Sequence, residues 1–302
     1  MHCQERGPLG DEHGFIVVVV LWMLTALATL ALIYLTYVTN TAVTVAANTD
    51  RLQADALTNA GLELTAYRLT AQSEATRPTS GTFNARIGAG LIAVTFRSEA
   101  ARIDLNMAPK AVLAGLMIGL GVSAADAPDY ADRILAWRSS TEPGVDNPED
   151  SLYRTLGAPY LPRHAPFPHS DELWLVRGIP PNVIERMLPF VTVFSNMRTV
   201  NVLDAAPQVV AALPGMTPET LQELLRSRAD PNVDPQSLVG LAGSASATIE
   251  GARAYRVTVA TEAPSHRQSS AEIVILLLDS GDEPYRVLSW RNAFDGSAGK
   301  AL

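Results

Sequence analysis

The sequence predicts an α+β protein, in which a long N-terminal helix packs on an antiparallel sheet and a large all-α domain is inserted into that sheet. Three observations support this fold class. An uncharged apolar run begins at Phe15 and reads FIVVVVLWMLTALATLALIYLTYV. Residues 39–72 follow it without a proline, so the helix can continue beyond the run. Strand-like segments then lie on both sides of a long stretch that has helical patterns.

Residues 15–38 are predicted to form a transmembrane helix. The run is long enough, because crossing the hydrocarbon core of a bilayer takes about 20 apolar residues. Its polar residues are Thr25, Thr29 and Thr36, and each hydroxyl can bond to a backbone carbonyl one turn earlier. Lipid offers the backbone no other partners, so a helix is expected even though four valines follow one another.

Residues 1–14, MHCQERGPLGDEHG, form a short polar leader that ends with Gly14 directly before Phe15. An ordinary secretory signal has a basic start, an apolar core and small residues at the cleavage site. Here the polar segment precedes the apolar run, so cleavage between Gly14 and Phe15 would leave the whole helix on the mature chain. The leader is more acidic than a cytoplasmic flank usually is. A plain N-terminal anchor is the alternative.

Residues 39–105 are predicted to hold the second half of the helix, to about Leu69, and the first strands. Apolar residues recur at helical spacing, and the stripe consists of Leu52, Ala56, Ala60 and Leu64, widened by Leu57 and Leu62. A juxtamembrane stalk is the alternative. Prolines and glycines between residues 77 and 90 predict a break with turns. The segment 91–97 alternates like a strand, and 101–105 is its expected partner.

Residues 106–243 are predicted to form the inserted helical domain. The segment NMAPKAVLA from Asn106 resembles DAAPQVVAA from Asp204. Asn106 and Asp204 are expected to cap helix N-termini, each with a proline in the first turn. Two further segments, 173–189 and 213–228, have a glycine turn between helices, at Gly178 and Gly215, and resemble helix–hairpin–helix or SAM-like folds. Because few cations lie near these turns, a structural role is favoured over DNA binding.

Residues 244–302 are predicted to return the chain to the sheet. Three segments alternate or run apolar as strands do, and they are 255–262, 270–278 and 285–290. Residues 279–282, DSGD, supply the turn between the last two strands.

The order of these segments resembles the K-type minor pseudopilin of type II secretion systems, also called general secretion pathway protein K. Leu105-Asn106-Met107-Ala108 resembles the family's helix start, and the helix ending in Trp137 is followed by an acidic loop at residues 139–153. An aromatic–proline segment at 159–163 and the segment DELWLVRG at 171–178 complete the pattern. The leader resembles the class III leader of prepilins. Val19 stands where most pilins carry a glutamate. The absence of that glutamate is typical of the K-type subunit.

This resemblance implies a pilin-like body and a function that involves no enzymatic activity. The chain would be cleaved after Gly14 by prepilin peptidase and methylated on Phe15. It would lie in the bacterial inner membrane with its body in the periplasm. At the tip of the pseudopilus it would initiate assembly with the I-type and J-type minor pseudopilins for protein export. A type IV pilus minor pilin and a membrane-anchored helix–hairpin–helix DNA-binding protein are the alternatives.

The acidic loop is a candidate calcium site. Oxygen ligands of the kind that Ca²⁺ takes are supplied by Glu142, Asp146, Asn147, Glu149 and Asp150. Calcium sites in pseudopilins support the idea, but the spacing is not that of an EF-hand, and charged loops of this composition are usually only solvated.

Composition and motifs argue against other functions. The net charge of −8 disfavours a nucleic-acid surface, and Cys3, the one cysteine, leaves no disulfide for the mature chain. No HExxH, GxSxG or phosphate-binding glycine loop occurs. Ser170 and Asp171, beside His169, are expected to cap a helix rather than to form a triad. No catalytic residues and no enzymatic activity are predicted.

Overall fold

The computed structural model describes residues 12–140, 147–243, 245–278 and 283–293. The chain forms two compact units, Met1–Ala56 and Leu57–Leu302. Helix α1, Glu12–Thr70, begins in the first unit and ends in the second. The predicted long N-terminal helix is therefore confirmed. The predicted turn at residues 279–282 lies outside the described residues.

The second unit contains a five-stranded antiparallel sheet with the strand order β1-β2-β7-β8-β9. Its strands are β1 Ser80–Ile87, β2 Gly90–Ser98, β7 Ala254–Glu262, β8 Gln268–Leu277 and β9 Tyr285–Ala293. The four segments predicted at 91–97, 255–262, 270–278 and 285–290 thus correspond to β2, β7, β8 and β9. The sheet joins the two ends of this unit, since β2 pairs with β7 across the whole helical stretch.

Two predictions about the first strands are wrong. The stretch from residue 77 to 90 is not only a break with turns, because it contains β1, which pairs with β2. Residues 101–105 do not pair with β2. Instead Ile103–Asp104 forms β3, which pairs in parallel with β4, Val191–Thr192, far along the chain. Gly88, with a φ of 59°, makes the tight β1–β2 turn, in agreement with the turns predicted for this stretch.

The C-terminal part of α1 packs on one face of this sheet. Its buried residues repeat at helical spacing: Leu57, Thr58, Gly61, Leu62, Thr65, Ala66 and Leu69. The predicted stripe is therefore wrong in part, because Leu52, Ala56 and Leu64 are exposed. Small residues lie where the helix comes nearest to the strands. A Cβ atom on Gly61 would lie 2.8 Å from Val259 Cγ1 of β7.

The helices of the second unit lie between β2 and β7 in the sequence, as the predicted insertion requires. They are α2 Lys110–Gly119, α3 Ala127–Arg138, α4 Pro148–Thr155, α5 Pro181–Met187, α6 Pro207–Ala211, α7 Pro218–Ser227 and α8 Pro235–Leu241. Short strands β5, Val200–Asn201, and β6, Ala247–Thr248, pair in parallel. These helices share one hydrophobic core, which is distinct from the core between α1 and the sheet.

The internal repeat is present, but its register differs from the prediction. In the first copy the Leu105 N–H donates to Thr192 O, and in the second the Val202 N–H donates to Thr248 O. Each copy thus turns from a short parallel strand into a helix. Asp104 Oδ1 accepts from the Asn106 N–H, as Asn201 Oδ1 does from the Leu203 N–H.

The predicted caps are therefore wrong. Asn106 pairs with the backbone of Phe167, donating to its oxygen and accepting from its N–H. Asp204 Oδ1 accepts from the Ser80 hydroxyl at 2.6 Å. The residues before α2 and α6 are Pro109 and Ala206, neither of which makes a side-chain cap. Asp104 and Asn201 instead make Asx turns at the end of the short strand that precedes each helix.

Candidate functional site

The first unit presents the candidate membrane segment. One helix among the described residues, Phe15–Thr70, is long and apolar enough to cross a membrane by length and composition. Side chains of its apolar run, residues 15–38, are mostly exposed rather than packed against protein, as Trp22 illustrates with 73% exposure. Thr25, Thr29 and Thr36 each donate a hydrogen bond to the carbonyl three residues earlier at 2.8 Å. Lipid would therefore meet an apolar surface with its hydroxyls already bonded.

The predicted processing site lies at the start of this helix. Gly14 and Phe15 both have helical backbone, whereas residues 1–11 of the leader lie outside the described residues. Phe15 is exposed. Cleavage between Gly14 and Phe15 stays a prediction.

Of the acidic loop, residues 139–140 and 147–153 are described. Glu142 and Asp146 lie outside the described residues. Asn147 caps helix α4, because its Oδ1 accepts from the Glu149 N–H at 2.9 Å. Asn147, Glu149 and Asp150 therefore all lie at the N-terminus of one helix, where carboxylates are stabilised by the helix dipole.

The two described carboxylates of the loop already contact basic side chains. Glu149 Oε2 lies 3.1 Å from Arg133 Nη1, and Asp150 Oδ1 lies 2.7 Å from His164 Nε2. Burial raises the pKa of Glu149, and Arg133 opposes that shift. Among the residues that the structure describes, no group of three or more His, Cys, Asp and Glu side chains is placed to hold a metal ion. The calcium site at this loop stays a prediction.

An aromatic cluster anchors the region that follows this loop. The ring centroid of Trp137 lies within 6.5 Å of those of Tyr153, Tyr160 and Phe167, and the Tyr153 and Tyr160 centroids are 5.9 Å apart. Tyr153 is buried, and its hydroxyl accepts from the Arg177 N–H at 2.8 Å. Burial raises the pKa of Tyr153 to about 12. The sequence showed these aromatics but not that they form one cluster, because they come from four separate segments.

The glycine turns of the two hairpins have the expected backbone. Gly178 and Gly215 have φ values of 86° and 80°, which favour glycine. The cations beside the first turn are held within the chain. Arg177 lies 5.2 Å from the centre of the Tyr160 ring, and Arg186 donates to Asn182 O at 3.1 Å. These contacts favour the structural interpretation of the hairpin, which stays a prediction.

The His169 side chain binds the backbone near residue 170. The first residue of the 3₁₀ helix Ser170–Leu175 is preceded by His169, whose Nδ1 accepts from the Asp171 N–H at 3.2 Å. The predicted cap by Ser170 and Asp171 is therefore wrong. Asp171 instead pairs with Arg291 of β9, with Oδ2 to Nη2 at 3.1 Å. This ion pair joins the helical region to the edge of the sheet.

Comparison with known proteins finds a match to a family model and a similarity to a solved structure. Residues 95–196, about a third of the chain, match the family model described as type II secretion system (T2SS), protein K. No curated protein matches the sequence. The chain resembles one chain of the crystal structure of the GspK–GspI–GspJ complex from the enterotoxigenic Escherichia coli type 2 secretion system. The identity is 17% and the TM-score 0.57, with 82% of this chain and 96% of that chain covered.

Proposed function

We propose that this chain belongs to the type II secretion system protein K family, which the match over residues 95–196 supports, and that it acts at the tip of the pseudopilus. Members of this family are minor pseudopilins, structural components of the secretion system. The finer proposal is that the chain initiates pseudopilus assembly and has no enzymatic activity of its own.

The first unit supports membrane anchoring. An exposed apolar helix in water would be costly, since burying apolar surface stabilises by about 25 cal/mol per Å². We propose that residues 15–38 span the bacterial inner membrane once, with the body in the periplasm. Cleavage by prepilin peptidase after Gly14 and methylation of Phe15 belong to the same proposal.

Val19 supports a place at the end of the filament. A carboxylate at this depth in lipid is expensive unless it meets a partner such as the amino group of a neighbouring subunit. A chain with valine there has no such charge to match with a subunit on that side. The helices between β2 and β7 add bulk to the sheet, which would obstruct a subunit stacked above. Val19 and the inserted helices are therefore both consistent with a subunit at the end of the filament, which has neighbours on one side only.

The proposed partners are the I-type and J-type minor pseudopilins. The fold likeness to a chain of the GspK–GspI–GspJ complex supports them. The test is recovery of the tagged full-length chain from membranes of cells that express both partners, with and without prepilin peptidase. We expect a mature chain starting at Phe15 that brings both partners with it. An intact leader in both strains, or a processed chain without the partners, would contradict the proposal.

Val19→Glu tests the tip position separately. We expect the added carboxylate to increase cross-linking of the chain to the major pseudopilin of the shaft, because the charge can now pair with a neighbour's amino group. Val18→Glu is the matched control, since it adds the same charge on a different side of the helix. Equal cross-linking by wild type and both variants would contradict the role of Val19.

Calcium binding by the loop at residues 139–153 is a separate proposal from the sequence. Calcium titration of the full-length chain in detergent, followed by calorimetry, tests it. The double variant Glu142→Gln, Asp146→Asn is the comparison, because it leaves the described ion pairs of Glu149 and Asp150 in place. Binding by wild type that the double variant loses would support the proposal, whereas no binding by wild type would contradict it.

A further inference from the structure

A polar cleft lies in the second unit between the helical region and the face of the sheet opposite α1. Two adjoining cavities of about 280 and 400 Å³ form this cleft. Both cavities are lined by Arg102, Pro189, Arg256 and Glu272. Arg102 follows a 3₁₀ helix after β2, whereas Arg256 and Glu272 project from β7 and β8. Charged residues from loops and strands that are distant in sequence therefore line the same side of the cleft.

Two arginines of the cleft have carboxylate partners. Arg256 Nε lies 2.8 Å from Glu99 Oε1, and Arg256 also contacts the Glu272 carboxylate. Burial alone would lower the pKa of Arg256, but Glu99 and Glu272 together raise it. Arg291 pairs with Asp171 at 3.1 Å. The charges of Arg256 and Arg291 are therefore balanced within the fold.

Arg102 has no such partner among the described residues. Its guanidinium makes no ion pair and no hydrogen bond with the part of the chain that the structure describes. Burial lowers its pKa, and neighbouring Arg256 lowers it further, against the attraction of Glu99 and Glu272. A partly buried cation without a hydrogen-bonded counter-ion is costly. The smaller cavity is thus lined by a guanidinium whose N–H groups have no acceptor among the described residues.

We propose that this cleft binds one oxyanion group, a carboxylate or a phosphate, against Arg102. The planar guanidinium offers two parallel N–H donors that match two oxygens of such a group. Ser170 and Ser289 line the same cavity, and their hydroxyls can donate further hydrogen bonds. The cavity of about 280 Å³ is large enough for a small ion or one acidic side chain. The site is independent of the role in secretion.

Titration calorimetry of the full-length chain in a neutral detergent tests the site. Sodium phosphate and sodium acetate are the two probes, each at constant ionic strength. Arg102→Met is the variant, and Arg86→Met is the control, because Arg86 is exposed on β1 of the same sheet and outside both cavities. We expect Arg102→Met to weaken binding by about tenfold or more, as the loss of a charge-assisted pair implies, and Arg86→Met to leave it unchanged.

The two probes distinguish the sources of the group. Binding of phosphate indicates a free inorganic ion, whereas binding of acetate alone indicates a carboxylate, such as an acidic side chain. Without either anion, Arg102→Met is expected to raise the thermal unfolding midpoint, because it removes a desolvated cation. Binding of neither probe by wild type, or equal binding by wild type and Arg102→Met, overturns the proposal.

Discussion

Arg138 and Arg228 occupy equivalent positions in the two copies of the internal repeat. Arg138 ends helix α3 and donates to the carbonyls of Leu105 and Ala108. Arg228 follows helix α7 and donates to the carbonyls of Val202 and Ala205, at 3.4 and 2.7 Å. Within each copy, the two acceptor residues have the same spacing in the sequence, Leu105 to Ala108 and Val202 to Ala205. Each arginine thus binds the turn that leads into the first helix of its own copy.

Loss of the Arg138 guanidinium should destabilise the fold. Its acceptors belong to Leu105 and Ala108, which are buried, so Arg138→Met leaves buried carbonyls without a donor. We expect the free energy of unfolding to fall by about 2 kcal/mol, measured by urea unfolding of the detergent-solubilised chain with circular dichroism. Arg154→Met is the control, because its pair with Asp150 is long and solvent-exposed and should cost about 0.5 kcal/mol or less. Equal losses in the two variants would contradict the prediction.

The two copies of the repeat touch closely at Gly115. A Cβ atom on Gly115 of α2 would lie 2.3 Å from the Ala212 carbonyl oxygen at the end of α6. Because that neighbour is backbone, Gly115→Ala must push the helices apart, and we expect a loss of about 1–3 kcal/mol. Gly119→Ala in the same helix meets nothing within 4 Å, so it should stabilise by up to about 1 kcal/mol. Thermal unfolding of both variants and of wild type measures the difference in stability. A loss of stability in both variants would contradict the contact with Ala212 as the reason for the loss in Gly115→Ala.

Asp104 should make stability depend on pH. It is buried, and burial raises its pKa above the ordinary 3.8 despite hydrogen bonds from Asn106, Asn196 and Ser195. The folded chain therefore holds the proton to higher pH than the unfolded chain. The stability from this proton is fully present below pH 3.8 and is lost as pH rises through the raised pKa.

Asp104→Asn removes this titration. We expect the stability of wild type relative to Asp104→Asn to increase as pH is lowered from 7 toward about 4. Urea unfolding of both proteins across this range measures the difference, which cancels contributions from other carboxylates. A difference that stays constant, or that falls with acid, would show that Asp104 does not titrate in this way.

Periodicity alone could predict most of the sheet and the long helix, but not the turns between them. Strands β2, β7, β8 and β9 alternate or run apolar, so their sequences reveal them. Strand β1 was missed because Gly81, Asn84 and Gly88 suggest turns, although Phe83, Ala85 and Ile87 alternate on the core side. The Asx turns at Asp104 and Asn201 lie next to the expected caps. Composition could not separate these positions, since either residue type suits both roles.

The buried stripe of α1 contains a closely packed position that a search for apolar side chains does not identify. Gly61 contributes no apolar side chain, yet it lies where the helix approaches β7, and a Cβ there would lie 2.8 Å from Val259 Cγ1. We expect Gly61→Ala to destabilise despite the higher helix propensity of alanine, by about 1 kcal/mol net. Val259→Ala removes the opposing methyl groups and should relieve that clash in the double variant.

A double-mutant cycle on Gly61 and Val259 therefore measures the contact directly. We expect the double variant to be more stable than the sum of the two single losses predicts, by an interaction energy of about 0.5–3 kcal/mol. Asn59→Ala in place of Gly61→Ala is the control, because Asn59 is exposed on the same helix, and its effect should add to that of Val259→Ala. Strict additivity for Gly61 as well would mean that α1 can move away from β7 without cost, and that the small residues of its buried face do not set its position on the sheet.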